Sequence, residues 1–397
     1  MRGKNAVYGW IQARALEALS EHGRWLQRAA RIPDPQREEL LQRVRRALPG
    51  LVHRVLHVRA GSGGHLPFVF RQDGTPLAVD STGSLNPASP PTASTYGDLF
   101  LAKGLLAAGG FLAQPELRDK GLVLLSGVLE DIETNRFRSN QQPLRPPYRS
   151  TWTSAHQEEG PWMLALGALD LAFRETGNSK WLVKAASFIQ RLVQRHLNRG
   201  QFDELKPLDF VETVTEDGRP LVRSGQVICV PGHALEFVGL SAKVLLTARA
   251  LPQVPESSNR IFAETGDLLP GLFLHIFNLG YRPDVGGIVA SVDLLSRGTA
   301  DSSLPWWAVT EALRAAALVR RVAADSPADE QLLEAQGHLL DDFLNRWINP
   351  RAHFWLFQTR DRTGKPVDLI PATPDADPGY HTGLSLLDFL ETQNSEV

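Results

Sequence analysis

The 397-residue sequence predicts an all-α fold, an α/α toroid in which an inner ring of helices walls a central pocket. Three observations predict it. Helical segments that are apolar nearly all round alternate along the chain with amphipathic ones, and a helix hydrophobic on every side is buried on every side. A β-hairpin signal returns at Gly74, Gly218 and Gly364, spaced by 144 and 146 positions, and so even a period points to a repetitive architecture. No Pro/Gly/Ser linker or shift in composition divides the chain, which predicts one domain over 1–397.

Composition narrows the partners. A hydrophobic share of 43% supplies a sizeable core, and a formal net charge of −2 gives no reason to expect nucleic acid or an anionic membrane. One cysteine, Cys229, excludes an internal disulfide framework and a Cys-rich metal site. No apolar run is long enough to span a bilayer, and Met1 to Arg14 lacks the apolar core of a signal peptide. The expectation is a cytoplasmic protein.

Taken in order, residues 8–20 place Ile11, Ala15, Leu16 and Leu19 on one helical face, with Arg14 at its edge. Spacing alone favours a solvated arginine there. A second amphipathic helix covers 36–59. His65 to Phe70 reads as a strand, Asp73-Gly74 as a hairpin turn, and Thr75 to Leu77 as the returning strand. The same element recurs at Phe210 to Val214 with Asp217-Gly218, and at Phe354 to Phe357 with Thr363-Gly364. Between hairpins lie an apolar helix from Thr95 to Phe111, a polar one over 116–134, and a proline-rich loop over 136–158 whose length suggests a covering role. An apolar helix starts at Pro161 and a polar one spans 180–196. Helices over 257–279, 304–322, 328–347 and Tyr380 to Leu390 complete the chain.

The centre of the functional reading is Val230 to Leu240. Pro231-Gly232 marks a helix start, so His233 sits in the first turn, where the helix dipole is expected to lower the imidazole pKa. Glu236, three residues on, shares its face, and its charge is expected to raise the histidine pKa and oppose the dipole. It either orients the ring or, with His233, merely staples the helix start. Gly61 to Gly64 reads as a turn, since no helix follows it. His65 and His353 read as loop histidines, and His53 and His57 as a surface pair. No combination suggests a metal site.

Pro231-Gly232-His233-x-x-Glu236 resembles the signature of the N-acylglucosamine 2-epimerase superfamily, which includes cellobiose 2-epimerases and aldose–ketose isomerases. Leu304 to Leu313, with Trp306, Trp307 and Glu311, is similar to that family's Trp-Trp helix. Gly364-Lys365-Pro366 through Tyr380-His381-Thr382-Gly383 resembles its C-terminal hairpin and second histidine, and Trp10 to Arg14 its first inner helix. Ser94 to Phe100 and Gly160 to Met163 fit inner-helix starts. The resemblance implies an (α/α)6 barrel acting at C2 of a ring-opened sugar. It implies His233 and His381 as acid/base groups, Glu236 as orienter of His233, and Arg14, Glu311, Trp306, Trp307 and Asp98 as substrate-binding groups. It implies no cofactor and leaves a nucleotide effector open. In two places the sequence departs from the family. Met1 stands almost at the Arg14 helix, so the family's first outer helix is expected to be missing, leaving an apolar flank and hence a homodimer. Trp162 and Leu164 stand where some members carry extra histidines, which favours an N-acetylhexosamine over a disaccharide.

The chemistry accounts for these residue types. Epimerisation beside a carbonyl removes a carbon-bound proton and returns one to the opposite face, so two groups are wanted. Histidine, with an ordinary pKa of about 6.5, both takes and gives a proton near neutrality. His233 and His381 are 148 positions apart, a spacing at which both could face one cavity of a toroid. Arg14 could hold the enediolate's charge. Tryptophans at a helix start are more often core than sugar platforms. The leading expectation is a 2-epimerase on a free hexose or N-acetylhexosamine. An aldose–ketose isomerase, a non-catalytic sugar-binding or regulatory protein, and a glycoside hydrolase follow in that order.

Overall fold

The computed structural model describes residues 5–29, 32–139, 153, 155–251, 254–324, 326–349, 355–356, 359–367, 377 and 379–393. They fall into two compact units. One lies within 1–154, 174–177 and 369–387, the other within 155–173, 178–368 and 388–397.

The first unit opens with β1 (Val7–Tyr8), α1 (Gly9–Arg28) and α2 (Asp34–Gly61), followed by β2 (Val69–Phe70), β3 (Pro76–Val79) and β4 (Leu85–Pro87). These four strands form one antiparallel sheet in the order β1-β2-β3-β4. The expected hairpin is there, with Val69 opposite Leu77 and Phe70 opposite Pro76. Next come α3 (Tyr96–Phe111) and α4 (Pro115–Glu133). A capping box starts α3: the Thr95 hydroxyl accepts from the helix backbone while Asp98 accepts from the Thr95 N–H. Every residue of α3 from Tyr96 to Gly109 is buried, as expected of a helix apolar nearly all round, and its two charged residues, Asp98 and Lys103, are buried with partners. Gly104 lets α1 approach closely: a Cβ there would lie 2.7 Å from Leu16 Cβ and 2.8 Å from the Ala13 carbonyl oxygen. By contrast α2 buries one stripe, Leu41, Val44, Leu48, Val52, Val55 and Val58, and so does α4. The unit also holds a turn of π-helix at Tyr380–Leu384.

The second unit repeats the alternation. Its elements are β5 (His156–Glu158), α5 (Gly160–Thr176, as far as Phe173), α6 (Lys180–Arg195), β6 (Thr213–Thr215), β7 (Ile228–Cys229), α7 (Pro231–Arg249) and α8 (Glu256–Gly280). After these come β8 (Tyr281–Arg282), β9 (Gly287–Ile288), β10 (Ser291–Asp293), β11 (Thr299–Asp301), α9 (Trp306–Val322), α10 (Asp329–Asp342), β12 (Ile348–Asn349) and β13 (Trp355–Leu356). Helices α7 and α9 pack along each other and are buried along most of their length. On α6 the buried residues Trp181, Leu182, Ala185, Ala186, Phe188, Ile189 and Leu192 make the single apolar face of an outer helix.

Four expectations change. The proline-rich loop is not loop throughout, because His156–Glu158 forms β5 and pairs with β6; residues 140–152 and 154 lie outside the described residues. The third hairpin has another partner: β13 pairs back with β12, and Thr363-Gly364 closes only the bridge between Arg360 and Pro366. Helix α10 stops at Asp342 and continues as one π-turn, Phe343–Trp347. The apolar flank expected beside the first helices is not found among the described residues. Exposed large hydrophobics there are Val123, Val183, Val222, Leu295, Leu333, Leu344 and Leu390, none of them on α1 or α2. The expected loop histidine His353 lies outside the described residues.

Candidate functional site

In the second unit the backbone ladders bring three acid/base side chains together. The pairing of β5 with β6 sets Glu158 opposite Thr213, and one step further the Glu159 N–H donates to the Glu212 carbonyl, 3.1 Å. The Glu212 N–H in turn donates to the Ile228 carbonyl, 2.9 Å. Ile228 belongs to β7, which runs straight into the Pro231 helix start. Glu159, Glu212 and His233, distant in sequence, therefore converge.

His233 Nδ1 lies 2.9 Å from Glu212 Oε1 and 3.4 Å from Glu159 Oε1. The other ring face stacks on Trp307, centroids 5.3 Å apart at 23°. Gly232 makes room for that stack, since a Cβ there would come within 2.7 Å of the Trp307 ring. The structure overturns two expectations here. Burial on its own would lower the His233 pKa, but Glu212, through charge and hydrogen bond, then Glu159 and Glu236, push it up to about 10. Three carboxylates outweigh one helix end. And the carboxylate hydrogen-bonded to His233 is Glu212, not Glu236, which is buried and acts on the ring through its charge.

Glu159 is fully buried, and neither carboxyl oxygen has a hydrogen-bond partner among the described residues. Burial first, and then the charge of Glu212, push its pKa well above the ordinary carboxylate range. Ligand atoms of Glu159, Glu212 and His233 all lie within 4.8 Å of one another, and two carboxylates with an imidazole make a donor set suited to a divalent cation. No motif in the sequence marks this set.

Elsewhere in this unit Glu311 is buried and ion-paired with Arg314, one turn further along α9. Arg314 Nη1 stands 4.0 Å from Asp388 Oδ2, and Asp388 accepts from Lys243 Nζ at 2.7 and 2.9 Å. Of the two tryptophans only Trp307 meets His233; Trp306 is buried core.

The first unit holds the remaining candidates. Arg14 is buried rather than solvated, its guanidinium carbon 4.2 Å from the Phe100 ring centroid, 4.4 Å from Trp10 and 4.8 Å from Tyr380. Tyr380 packs edge-on against His381, centroids 5.1 Å apart. The π-turn carrying both is held by Asp377, whose carboxylate accepts from the backbone N–H groups of Tyr380, His381 and Thr382. Lys103, buried within α3, donates to Tyr380 Oη at 2.6 Å and pairs with Glu17 at 3.1 Å. Asp98 serves the fold. It accepts from the Leu66 N–H at 3.1 Å and from Thr95, and faces His65 Nδ1 at 3.1 Å and Arg59 Nε at 3.5 Å. The hydrogen bond to Asp98 raises the pKa of His65.

Comparison with known proteins follows the same line. The family described as N-acylglucosamine 2-epimerase matches residues 91–382. A D-mannose isomerase of Pseudomonas cannabina pv. alisalensis is 25% identical over 288 residues, 67% of this chain and 63% of its own length; the match thus spans less than two thirds of that relative. A crystal structure of a D-mannose isomerase superposes with a TM-score of 0.67 at 16% identity, covering 98% of this chain and 88% of the other. The cellobiose 2-epimerase of Bacillus thermoamylovorans B4167 does so at 0.68 and 15%, covering 98% and 89%. At these identities the likeness establishes the fold, the (α/α)6-barrel class expected from the sequence.

Proposed function

Since the chain belongs to the N-acylglucosamine 2-epimerase family, we propose that it is a carbohydrate isomerase acting at C2 of a free reducing sugar through an enediolate. The observation that supports this most is His233. Two carboxylates occupy its Nδ1 side and Trp307 covers one face, so Nε2 is the nitrogen free to exchange a proton. His233 and His381 are the two acid/base groups in this reading. Glu212 takes the orienting role, and Arg14 is the cation for the enediolate oxygen. Arg14 lies outside the segment matched by the family, so its role rests on its burial among aromatic rings. Glu236 and Trp307 act on His233 through charge and stacking, Glu311 is held by Arg314, and Asp98 holds the start of α3.

The leading reaction is 2-epimerisation of a hexose or N-acetylhexosamine. Aldose–ketose isomerisation is the second reading, supported by the D-mannose isomerase relative. An NMR time course in deuterated water decides: deuterium entering C2 of an aldose product marks the epimerase, and a ketose product marks the isomerase. No deuterium uptake with any free hexose or N-acetylhexosamine would refute both. The carboxylates of Glu159 and Glu212 are closed onto one imidazole rather than set apart on either side of a bond as in a hydrolase.

The reading includes no cofactor. It places the protein in the cytoplasm, supported by the single buried thiol Cys229; no helix among the described residues is long and apolar enough to cross a membrane. A homodimer belongs to it as well, and sedimentation showing only monomer at micromolar concentration would remove that part.

A further inference from the structure

We propose that Lys103 is a positioning residue: by holding the Tyr380 hydroxyl it fixes the phenol ring against which both Arg14 and His381 rest, and so sets these two groups for the sugar. The proposal rests on the reading of Arg14 as the cation for the enediolate and His381 as an acid/base group. It assigns a residue that no motif marks.

A lysine is almost never fully buried unless it is paired, and Lys103, midway along an otherwise apolar helix, is 2% exposed. Its ammonium donates to Tyr380 Oη at 2.6 Å and stands 3.1 Å from Glu17 Oε2, a carboxylate that is itself buried. Fold stability does not call for this pair, because replacing a buried ion pair by apolar side chains of similar volume is often neutral or stabilising. What the ammonium adds is direction. A charged donor fixes the distance and angle of the oxygen that it meets, whereas an apolar side chain would let the phenol slide.

Tyr380 is held at both ends. Its backbone N–H donates to Asp377, and Gly379 before it has a φ of 86°, the left-handed region that favours glycine. At the far end Lys103 holds the hydroxyl. Between the two, the ring meets Phe100 edge-on, centroids 5.4 Å apart at 78°. The Arg14 guanidinium carbon lies 4.8 Å from its centroid, and the His381 ring packs edge-on at 5.1 Å and 90°. Arg14 and Glu17 lie three apart on α1, so the helix that carries the guanidinium also carries the carboxylate paired with Lys103. Helix α1, helix α3 and the π-turn are thus tied together at one phenol, and all of these residues belong to the first unit. In this role Lys103 moves no proton; it holds a ring.

The test compares three variants of the intact protein: Tyr380→Phe, Lys103→Met paired with Glu17→Leu, and all three changes together. Pairing the changes avoids leaving Glu17 buried without its lysine. On the sugar that the wild type turns over, kcat should fall about tenfold to a hundredfold in each, the scale of a misplaced catalytic group. KM should change by less than about threefold, since the loss is one of alignment and not of binding. The combined variant should be no slower than the slower of the other two, because all of them break one contact. Its melting temperature should nevertheless equal or exceed that of the wild type. Wild-type kcat in the combined variant overturns the proposal, leaving Lys103 a packing residue, and so do losses that multiply. Full activity in Tyr380→Phe beside complete loss in the paired variant also overturns it, by making Lys103 act on the substrate directly. Should the paired variant not fold, Tyr380→Phe decides alone, and an unchanged kcat there is fatal. A second measurement needs no turnover. In the paired variant Tyr380 is kept, so the ring-proton NMR signals of His381, assigned through His381→Gln, should move only if the phenol has moved; unmoved signals overturn the proposal. Moved signals without deuterium uptake into any sugar would sink the sugar reading alone, whereas turnover with both kcat and the signals unmoved would sink only this one.

Discussion

His233 carries a proton that the folded protein holds more tightly than the unfolded chain does. Its folded pKa, about 10, stands above the ordinary 6.5, so the stabilisation is complete below about pH 6.5 and fades as pH rises through 10. Glu212→Gln removes the carboxylate that makes the hydrogen bond. At pH 6 the variant is expected to be less stable than the wild type by roughly 1.5–3 kcal/mol, the range for a hydrogen bond to a charged group, and the gap should close above pH 10. Urea titrations at pH 6 and pH 10 measure it; a gap constant across both would show that His233 is not the charged partner. Arg14 gives a second prediction at this scale. Its planar guanidinium lies against three aromatic rings, a geometry a lysine ammonium does not reproduce. Arg14→Lys should lower kcat/KM by about tenfold to a hundredfold with little change in melting temperature, since charge and bulk are mostly kept. Equal activity in the lysine variant would dismiss the guanidinium from the reaction.

Helices and hairpins set these residues, and glycine sets how closely they pack. Gly104→Val would thrust a branched side chain into α1, where Leu16 and the Ala13 carbonyl already stand within 3 Å of a Cβ. Overpacking of that kind costs about 1–3 kcal/mol or more, a loss that differential scanning calorimetry would register. Gly232→Ala acts on a single side chain instead: it pushes Trp307 off His233, so activity should fall more than stability, and the reverse order would make Trp307 a packing residue only. At the same scale the sequence was readable where punctuation is local. Pro115 and Pro231 open α4 and α7, and Thr95 with Asp98 caps α3. Strands of two or three residues, β8 to β11, carry too little alternation to read. The first hairpin was legible through its Asp-Gly turn. The partner of β13 was not, because it is chosen by a strand lying before it. The site divides in the same way. Pro231-Gly232-His233 announces itself, and Tyr380-His381 rests on a cap that Asp377 supplies from nearby. Glu159 and Glu212 meet His233 only through ladders joining positions 159, 212 and 228, a register no local pattern encodes. An acidic residue just ahead of Gly160-Pro161 reads as an ordinary helix start, and Glu212 as one outward position of a strand. Asp98 and Glu311 have the residue type expected of sugar ligands. His65, Arg59 and the Leu66 N–H claim the first, and Arg314 the second.

Charge on the whole molecule bears on which sugar it takes. With 42 Lys and Arg against 44 Asp and Glu the net charge is −2, too small to draw in a charged substrate from a distance. Close to His233 the field is negative, because the Glu212 and Glu236 carboxylates both act on the ring, while burial pushes Glu159 toward its neutral form. A sugar phosphate or a uronic acid would bring like charge toward these groups, a repulsion felt within a Debye length of about 10 Å at 0.1 M salt. A neutral hexose or N-acetylhexosamine meets no such barrier. Turnover of the true substrate should therefore be nearly indifferent to ionic strength, with kcat/KM changing by less than about twofold between roughly 0.02 and 0.5 M sodium chloride, since screening has no long-range attraction to remove. Phosphorylated sugars of the same configuration should compete poorly at low salt and slightly better at high salt. A kcat/KM that drops steeply as salt is added would mean that the substrate is anionic and is captured by cationic side chains, and the neutral-sugar assignment would fall with it.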